Sequence, residues 1–422
     1  MSDFQRSVCP HDCPSVCALE VEVQANGQIG RVYGAKDHSY TDGVICAKVA
    51  RYAERANHPD RLTHPMILTG AKGTGLEAYR SASWSEALDL IAARMQSTIT
   101  QYGAQAIWPY HYAGTMGLVQ RDGLDRFRHA LGSSRMHATF CTTLPDAGYS
   151  VGCGAKKGSD SRLMAQSDLI VVWGGNPVNT QVNVMNYIAK AKRANNAKLV
   201  VVDPYRTRTA KKADMHLMLK PGSDGALACA TIHVLVRDGL ADLDYLAQYT
   251  DWDESASEHF AQRSPEWAAP ITGLSVADIE SFAQLYGNTQ KSFLRFGYGF
   301  ARSRNGATNM HAASCLPAIT GAWRYKGGGA LYSNGALYSI DRTLIQGLDI
   351  PHSHLRILDQ SRLGEVLCGN RQDLQQGPPV TVLFTQNTNP AVVAPDTRRV
   401  IQGLLRPDLF TVVHEQFFTD TA

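Results

Sequence analysis

No apolar stretch in this 422-residue chain approaches the ~18–20 residues that a membrane span requires. The N-terminus, Met1-Ser2-Asp3-Phe4-Gln5-Arg6-Ser7, has neither a charged-then-apolar leader nor a twin-arginine pair, which points to a cytoplasmic protein. Charge of one sign is scarce. The formal net charge is only +3 and no run of like charges stands out, so the footprint of a nucleic-acid or acidic-membrane binder is missing. Neither GxGxxG nor the P-loop lysine motif occurs, which removes the usual sequence support for NAD or ATP binding. Disorder is excluded by composition, with 44% apolar and 19% charged residues. The length exceeds the ~250–300 residues at which one core stops growing, so two or more domains are expected.

Cysteine is what the chain has, and it is concentrated at one end. Five of the nine (Cys141, Cys153, Cys229, Cys315 and Cys368) are scattered in the manner of buried thiols. The other four lie in Cys9-Pro-His-Asp-Cys13-Pro-Ser-Val-Cys17 and in Gly43-Val-Ile-Cys46-Ala-Lys48. In a cytoplasmic chain this crowding argues against a disulfide framework. Four soft thiolates suit an iron–sulfur cluster or zinc. Structural zinc sites repeat a C-x2–4-C pair, so three close thiols plus one distant partner fit zinc less well, and plain thiols less still. The alternation in Ala18–Val23 reads as a strand and Asn26-Gly27 as a hairpin turn, so a small β-unit returns Cys46 to the other three. Lys48, two residues past the last thiol, is either a solvated lysine or a cation that tunes the cluster or touches a second redox group.

Beyond the turns Asn57-His-Pro59 and Thr63-His-Pro65, Ser83-Trp-Ser-Glu86 is a capping box, followed by Leu88, Ile91, Met95 and Ile99 at helical spacing up to Gly103. A second helix is read over 121–131. Leu169–Trp173 is an apolar strand, Gly174-Gly175-Asn176-Pro177 a ligand-type turn, 184–194 a helix, and Lys198–Val202 a strand closed by Asp203-Pro204. The same order recurs: strand 380–384, turn Gln386-Asn387-Thr-Asn389-Pro390, helix 397–405, and strand 410–413 leading to His414-Glu415. Two such units suggest two related nucleotide-binding halves, in which glycines let backbone N–H groups approach phosphate and Asp203 receives a ribose or base. Pro221-Gly222-Ser-Asp224, Gly297-Tyr-Gly299 with Arg302, and Gly327-Gly-Gly329 are loops that can line the same cleft.

Taken in order, these landmarks resemble the bis-molybdopterin guanine dinucleotide oxidoreductases, the dimethyl sulfoxide reductase superfamily. The likeness runs from Cys9 to the end. It rests on the four cysteines, Gly43-x-x-Cys46-x-Lys48, Trp84-x-Glu-Ala-Leu88, Trp173-Gly-Gly-Asn-Pro177, Asp203-Pro204, Pro221-Gly-Ser-Asp224, Asn389-Pro390 and His414-Glu415-x-Phe417-x-Thr419-x-Thr421-Ala422. It implies a multidomain α/β fold: a small iron–sulfur β-unit (1–64), a second Rossmann-like nucleotide domain (136–329), and a first, discontinuous one (65–135 with 330–422). The family's C-terminal barrel-type domain is absent, and the chain reads as truncated, because its last motif normally continues. The implied cofactors are a [4Fe–4S] cluster on Cys9, Cys13, Cys17 and Cys46, two molybdopterin guanine dinucleotides, and Mo or W. Lys48 would bridge cluster and pterin. Asn176, Asp203 and Asp224 would contact one nucleotide, with Asn387 and Asn389 near the other.

In the family one side chain often completes the metal site, from a loop corresponding here to Phe140–Gly152. Register against formate dehydrogenases places Asp146 at the ligand position, register against sulfoxide reductases favours Ser150, and Cys141 is a third candidate. A carboxylate is a hard ligand suited to oxidised Mo. No Cys-His pair stands there, which argues against formate dehydrogenase activity and for two-electron oxygen-atom or hydroxyl transfer on a small molecule. An electron-transfer protein or redox subunit is the implied partner. The competing reading is a non-catalytic iron–sulfur scaffold that kept the pterin fold.

Overall fold

The computed structural model describes residues 3–422. The N-terminal unit is an antiparallel sheet of β1 (Asp3–Val8), β2 (Ala18–Val23) and β3 (Ile29–Gly34), in that order. The hairpin read from sequence is present, with Gly27 at φ 78°. Here β1 pairs with β2 along its whole length. Cys9, Cys17, Leu19, Val32 and Val49 form a small separate core against which Cys46 and Tyr52 pack.

An antiparallel pair, β4 (Met66–Leu68) and β5 (Tyr79–Ser81), follows, and three further groups of strands are parallel. In one, β8 (Leu169–Trp173), β9 (Lys198–Val202), β10 (Met215–Leu217), β11 (Ser292–Phe296) and β12 (Gly329–Leu331) take the order β10-β9-β8-β11-β12. Strand period two divides its side chains between two cores. Leu169, Val171, Trp173, Val200 and Val202 face helices Asp224–Arg237, Val276–Gly287 and Gly306–Ile319. Ile170, Val172, Leu199 and Val201 face helix Val182–Asn195. Being covered on both faces, the central strands read as unbroken apolar runs. The chain reverses direction across the sheet between β8 and β11, the kind of switch point where such sheets bind ligands outside their carboxyl ends.

The other parallel sheet has the order β15-β14-β6, from β6 (Ile107–His111), β14 (Val382–Gln386) and β15 (Phe410–His414). Beside it a short parallel pair joins β7 (Arg135–His137) to β13 (Ile357–Asp359). One face is packed by Leu363, Val366, Leu367 and Val400. Helix Trp84–Tyr102 stands where the sequence reads it. It starts and stops where its signals say, at Ser83 and Gly103, but its apolar stripe is not core: Leu88 is 56% and Ile99 38% exposed. Of that stripe, Leu88 and Ile91 line a groove of about 1630 Å³ shared with Phe384, Phe410 and Val412. The capping box is also half formed. Ser83 accepts from the Glu86 N–H, but the Glu86 carboxylate is drawn away to Arg80. Among the described residues no helix is long and apolar enough to cross a membrane.

Candidate functional site

The cysteine loop folds on itself. Cys9 N–H donates to Cys17 O at 2.9 Å and Val16 N–H to Cys13 O at 3.1 Å, with Val16 at φ 41°. Cys46 arrives as the N-cap of the short helix Ala47–Ala50. Burial first, then the charges of Cys13, Cys9 and Cys46, push the Cys17 thiol up to about 12. Burial likewise raises Cys9. This is a donor set short of positive charge. Among the described residues no three His, Cys, Asp or Glu side chains converge on a point that one metal ion could occupy. Cys13 and Cys46 lie close enough to act on Cys9 and Cys17, and four soft thiols gathered in this way suit an iron–sulfur cluster.

The loop is held by segments far away in the chain. Pro10 O accepts from Met116 N–H at 2.7 Å. Pro14 O accepts from Tyr40 Oη at 3.0 Å and from Asn334 Nδ2 at 3.1 Å. Buried Ser15 donates to Asn183 Oδ1 at 2.6 Å, and Lys48 Nζ donates to Asn179 O at 3.3 Å. Both asparagines lie just beyond the turn that follows β8.

That turn and the one after β14 are built alike. After β8 comes Gly174 at φ 66°, and Asn176 Oδ1 accepts from Thr209 N–H (3.3 Å) and Oγ1 (2.7 Å) while Thr209 Oγ1 accepts from Val178 N–H (3.1 Å). After β14 comes Asn387 at φ 57°, and Asn389 Oδ1 accepts from Thr421 N–H (3.1 Å) and Oγ1 (2.6 Å) while Thr421 Oγ1 accepts from Ala391 N–H (3.1 Å). The same three bonds between the same atoms make the two units structural repeats. Within the repeat Asp203 corresponds to Glu415, each six residues ahead of its threonine.

The repeat alters the picture of the residues assigned to nucleotides. Asn176 and Asn389 spend their side-chain oxygens as internal brackets, and Asn387 Nδ2 donates to Gln120 O at 3.2 Å. Gly174 N–H goes to Val202 O at 2.9 Å, so it does not point at a phosphate. Its carbonyl is crowded by Gly297, where a Cβ would lie 2.2 Å from it, whereas Gly175 has ordinary room. Pro177 is buried under the turn. In the Pro221-Gly222 loop, Gly222 stands at φ 82° and its carbonyl accepts from Asn305 and Asn309. Asp224 accepts from Trp173 Nε1 at 2.8 Å, and burial raises both Asp224 and Asp203. Asp203 and Glu415 each stand just past a strand's carboxyl end, where Asp203 Oδ1 accepts from Tyr205 N–H and Glu415 Oε1 from Gln416 N–H.

Strand ends from both sheets meet at a second place. Tyr112 follows β6, Tyr298 follows β11 and Tyr332 follows β12. The Tyr112 hydroxyl bonds the Cys141 thiol, whose pKa is raised by burial and then by Asp12. Arg302 donates to Phe140 O at 3.2 Å, and its charge acts on both Tyr112 and Cys141. The presumed loop around Cys141 is in fact a helix, Thr143–Cys153, that starts two residues after the thiol. Pro145 is tolerated in its first turn. Gly148 and Gly152 let it lie against helix Gly306–Ile319, because a Cβ at either would come within 2.1 Å of Ala307 O or Ser314 Oγ. Asp146 sits in the first turn and its Oδ2 is held by Lys156 Nζ at 2.8 Å. Ser150 is one turn further on. Asp12, Tyr112, Tyr298, Tyr332 and Lys156 were not singled out from sequence. A polar aromatic immediately after an apolar strand, as in Ile107–Tyr112, was the available signal.

Comparison with known proteins agrees with this geometry. Residues 61–422 match the family described as molybdopterin oxidoreductase, and residues 3–58 match the molybdopterin oxidoreductase Fe4S4 domain. The probable oxidoreductase YoaE of Bacillus subtilis (strain 168) is 39% identical over 419 residues, 99% of this chain and 60% of that protein. Dimethyl sulfoxide reductase DmsA of Escherichia coli (strain K12) is 29% identical, covering 82% of this chain and 46% of its own length. Formate dehydrogenase H of the same organism is 30% identical over 75% of this chain and 44% of its own. The structure of acetylene hydratase from Pelobacter acetylenicus has the same fold, with a TM-score of 0.79 at 22% identity over 99% of this chain and 61% of that one. The chain thus spans about half to three-fifths of the length of these relatives.

Proposed function

The chain belongs to the molybdopterin oxidoreductase family, and from that premise we propose that it is a molybdenum or tungsten bis-pterin enzyme of two-electron oxygen-atom or hydroxyl transfer. Its cofactors are a molybdenum–pterin and a [4Fe–4S] cluster, the cluster on Cys9, Cys13, Cys17 and Cys46. When bound, the pterin-held metal supplies the two-electron change. The protein's own residues hold, orient and neutralise.

The observation that carries the reading is the seat of the cysteine loop. Through Ser15 and Lys48 it is bonded to the segment beyond the β8 turn, so a cluster there lies next to a nucleotide unit and Lys48 stands between the two. The repeated turn supports two nucleotides, with Asp203 and Asp224 serving the first and Glu415, near Asn387, the second. Cys141 is the metal ligand in this reading. Its thiol carries no ion pair and lies beside Tyr112 at the end of a strand, whereas Asp146 is already neutralised by Lys156. The three units are 1–64, 136–329, and 65–135 with 330–422. All nine cysteines are free, as a reducing cytoplasm would keep them. The partners are a one-electron carrier or redox subunit and a small oxide, with the likeness to DmsA favouring S-oxides.

The test is metal analysis of anaerobically purified protein, followed by reduced-viologen assays with S-oxides, N-oxides and formate. About four irons with one Mo or W per chain, and oxide-dependent viologen oxidation, are expected. Iron without Mo, W or pterin would leave the non-catalytic scaffold.

A further inference from the structure

We propose that the stacked histidines His129 and His352 form an acid-released latch that holds the chain between β12 and β13 against helix Leu118–Leu131. The inference goes beyond the redox reading above and does not depend on which cofactors are bound.

The chain returns from one parallel sheet to the neighbourhood of the other through residues 332–356. Little apolar burial fixes the middle of this connection. Its short helix Thr343–Gln346 has no buried residue, and Leu344 is 78% exposed. What holds it is polar. Arg126 Nη1 donates to Leu344 O at 2.9 Å and pairs with Asp349 at 3.4 Å. Asp122 Oδ2 accepts from Gln346 Nε2 at 3.1 Å and pairs with Arg342 at 3.2 Å. Both arginines are exposed to water, so each ion pair is individually weak. Gly347, at φ 65°, lies so near the helix that a Cβ would come 3.1 Å from the Arg126 Cα.

The histidines complete the arrangement. Their ring centroids stand 3.9 Å apart, with the planes 11° from parallel. His129 Nδ1 lies 2.9 Å from Gln346 O and 3.3 Å from Gly347 O, and His352 Nδ1 lies 2.6 Å from Ile350 O. A carbonyl only accepts, so both Nδ1 atoms carry hydrogen and each ring takes its next proton on Nε2. Neutral rings stack. Two imidazolium rings at this distance repel, and with His129 only 7% exposed little water screens them.

The carboxylates on the two elements are already engaged. On the helix, Asp125 pairs with Arg128 at 2.8 Å and Asp122 with Arg121 and Arg342. On the connection, Asp349 pairs with Arg126, and Asp341 accepts from Thr343 N–H at 2.8 Å. His111, which lies 3.2 Å from Arg128, adds no negative charge, nor do Arg135, His354 and Arg356. Burial, and then His352, hold the His129 pKa below the ordinary imidazole range, although its two carbonyl bonds oppose this. A lowered histidine favours the closed form at neutral pH, and that preference is lost as pH falls. Opening also uncovers the outer side of a helix whose Gln120 O holds Gln386 and Asn387 of the second turn.

Hydrogen exchange of the full chain tests the latch, read by mass spectrometry at about pH 7.5 and about pH 5 and corrected for intrinsic rates. Amides of 341–355 should lose protection by at least about tenfold at the lower pH, while those of β8 keep theirs. His352 is half-buried, so it can be replaced without emptying the core. His352→Phe keeps a stacked ring that cannot charge, and its protection should change by less than about twofold between the two pH values. His352→Ala removes the stack and should show the acid level of protection already at the higher pH. Unchanged protection in the wild type overturns the proposal, as does acid loss in His352→Phe equal to that of the wild type. Equal loss in β8 would mean general acid unfolding and overturns it too.

Discussion

Thr209→Val tests whether the paired turn locks hold the fold together. Thr209 is fully buried, and valine matches its shape while deleting one hydroxyl. Two hydrogen bonds go with it, the 2.7 Å bond to Asn176 Oδ1 and the 3.1 Å bond from Val178 N–H. At about 1 kcal/mol each, with about 1 more for the N–H left unpartnered, the loss is roughly 3 kcal/mol. The added methyl returns up to about 0.8. A net destabilisation of about 2 kcal/mol is therefore expected. Thr209→Ser keeps both bonds and removes one buried methyl, so about 1 kcal/mol is expected. Urea unfolding followed by circular dichroism ranks the three proteins. If serine costs as much as valine, or valine costs less than about 0.5 kcal/mol, the lock is not what holds the turn. Thr421→Val removes the same two bonds from the second unit and should follow the same order.

Other outcomes follow from the site. Cys46→Ala should abolish the brown iron–sulfur absorption and lower iron content, while Cys368→Ala, remote from the loop, should leave both intact. Lys48→Met should slow electron passage from the cluster in stopped-flow reduction without changing iron content; equal rates would remove Lys48 from the route. Burial, before the nearby Arg128, lowers the His111 pKa to about 4. The unfolded chain then binds the extra proton between about pH 6.5 and 4, so stability should fall as pH drops through that window, by at most about 3 kcal/mol. His111→Asn should flatten that part of the urea-midpoint profile.

The sequence made β8 and β9 readable to the residue, because each is an unbroken apolar run between a polar start and a turn. The strand expected at 380–384 is shifted to Val382–Gln386, since Val380 is buried beneath the covering helices before the ladder begins. Helix Thr143–Cys153 was hidden by Pro145, Gly148 and Gly152. Their reasons for being there, first-turn tolerance and a neighbouring helix at close range, are tertiary. The apolar stripe of Trp84–Tyr102 was legible as a stripe, but what it faces is not a local property. The gathering of the four N-terminal cysteines in one unit could be read because four thiols and Lys48 lie in two short stretches. The grouping of Tyr112, Tyr298 and Tyr332 could not, because they come from the ends of strands in two sheets and each looks ordinary alone. Glu415 stood in a recognisable motif, yet its equivalence to Asp203 emerged only from matching hydrogen bonds.

The cysteine loop also sets an order of events in the life of the protein. Its carbonyls and Ser15 are bonded to residues as distant as Asn183 and Asn334, while Cys9 and Cys17 are buried in the N-terminal unit's own core with Leu19, Val32 and Val49. With the cluster on these sulfurs as proposed, iron would have to reach them before that core closes, and loading the cluster would be a stage of folding. A cell starved of iron would accumulate an unclosed chain exposed to proteases, and the level of the protein would itself report the iron supply.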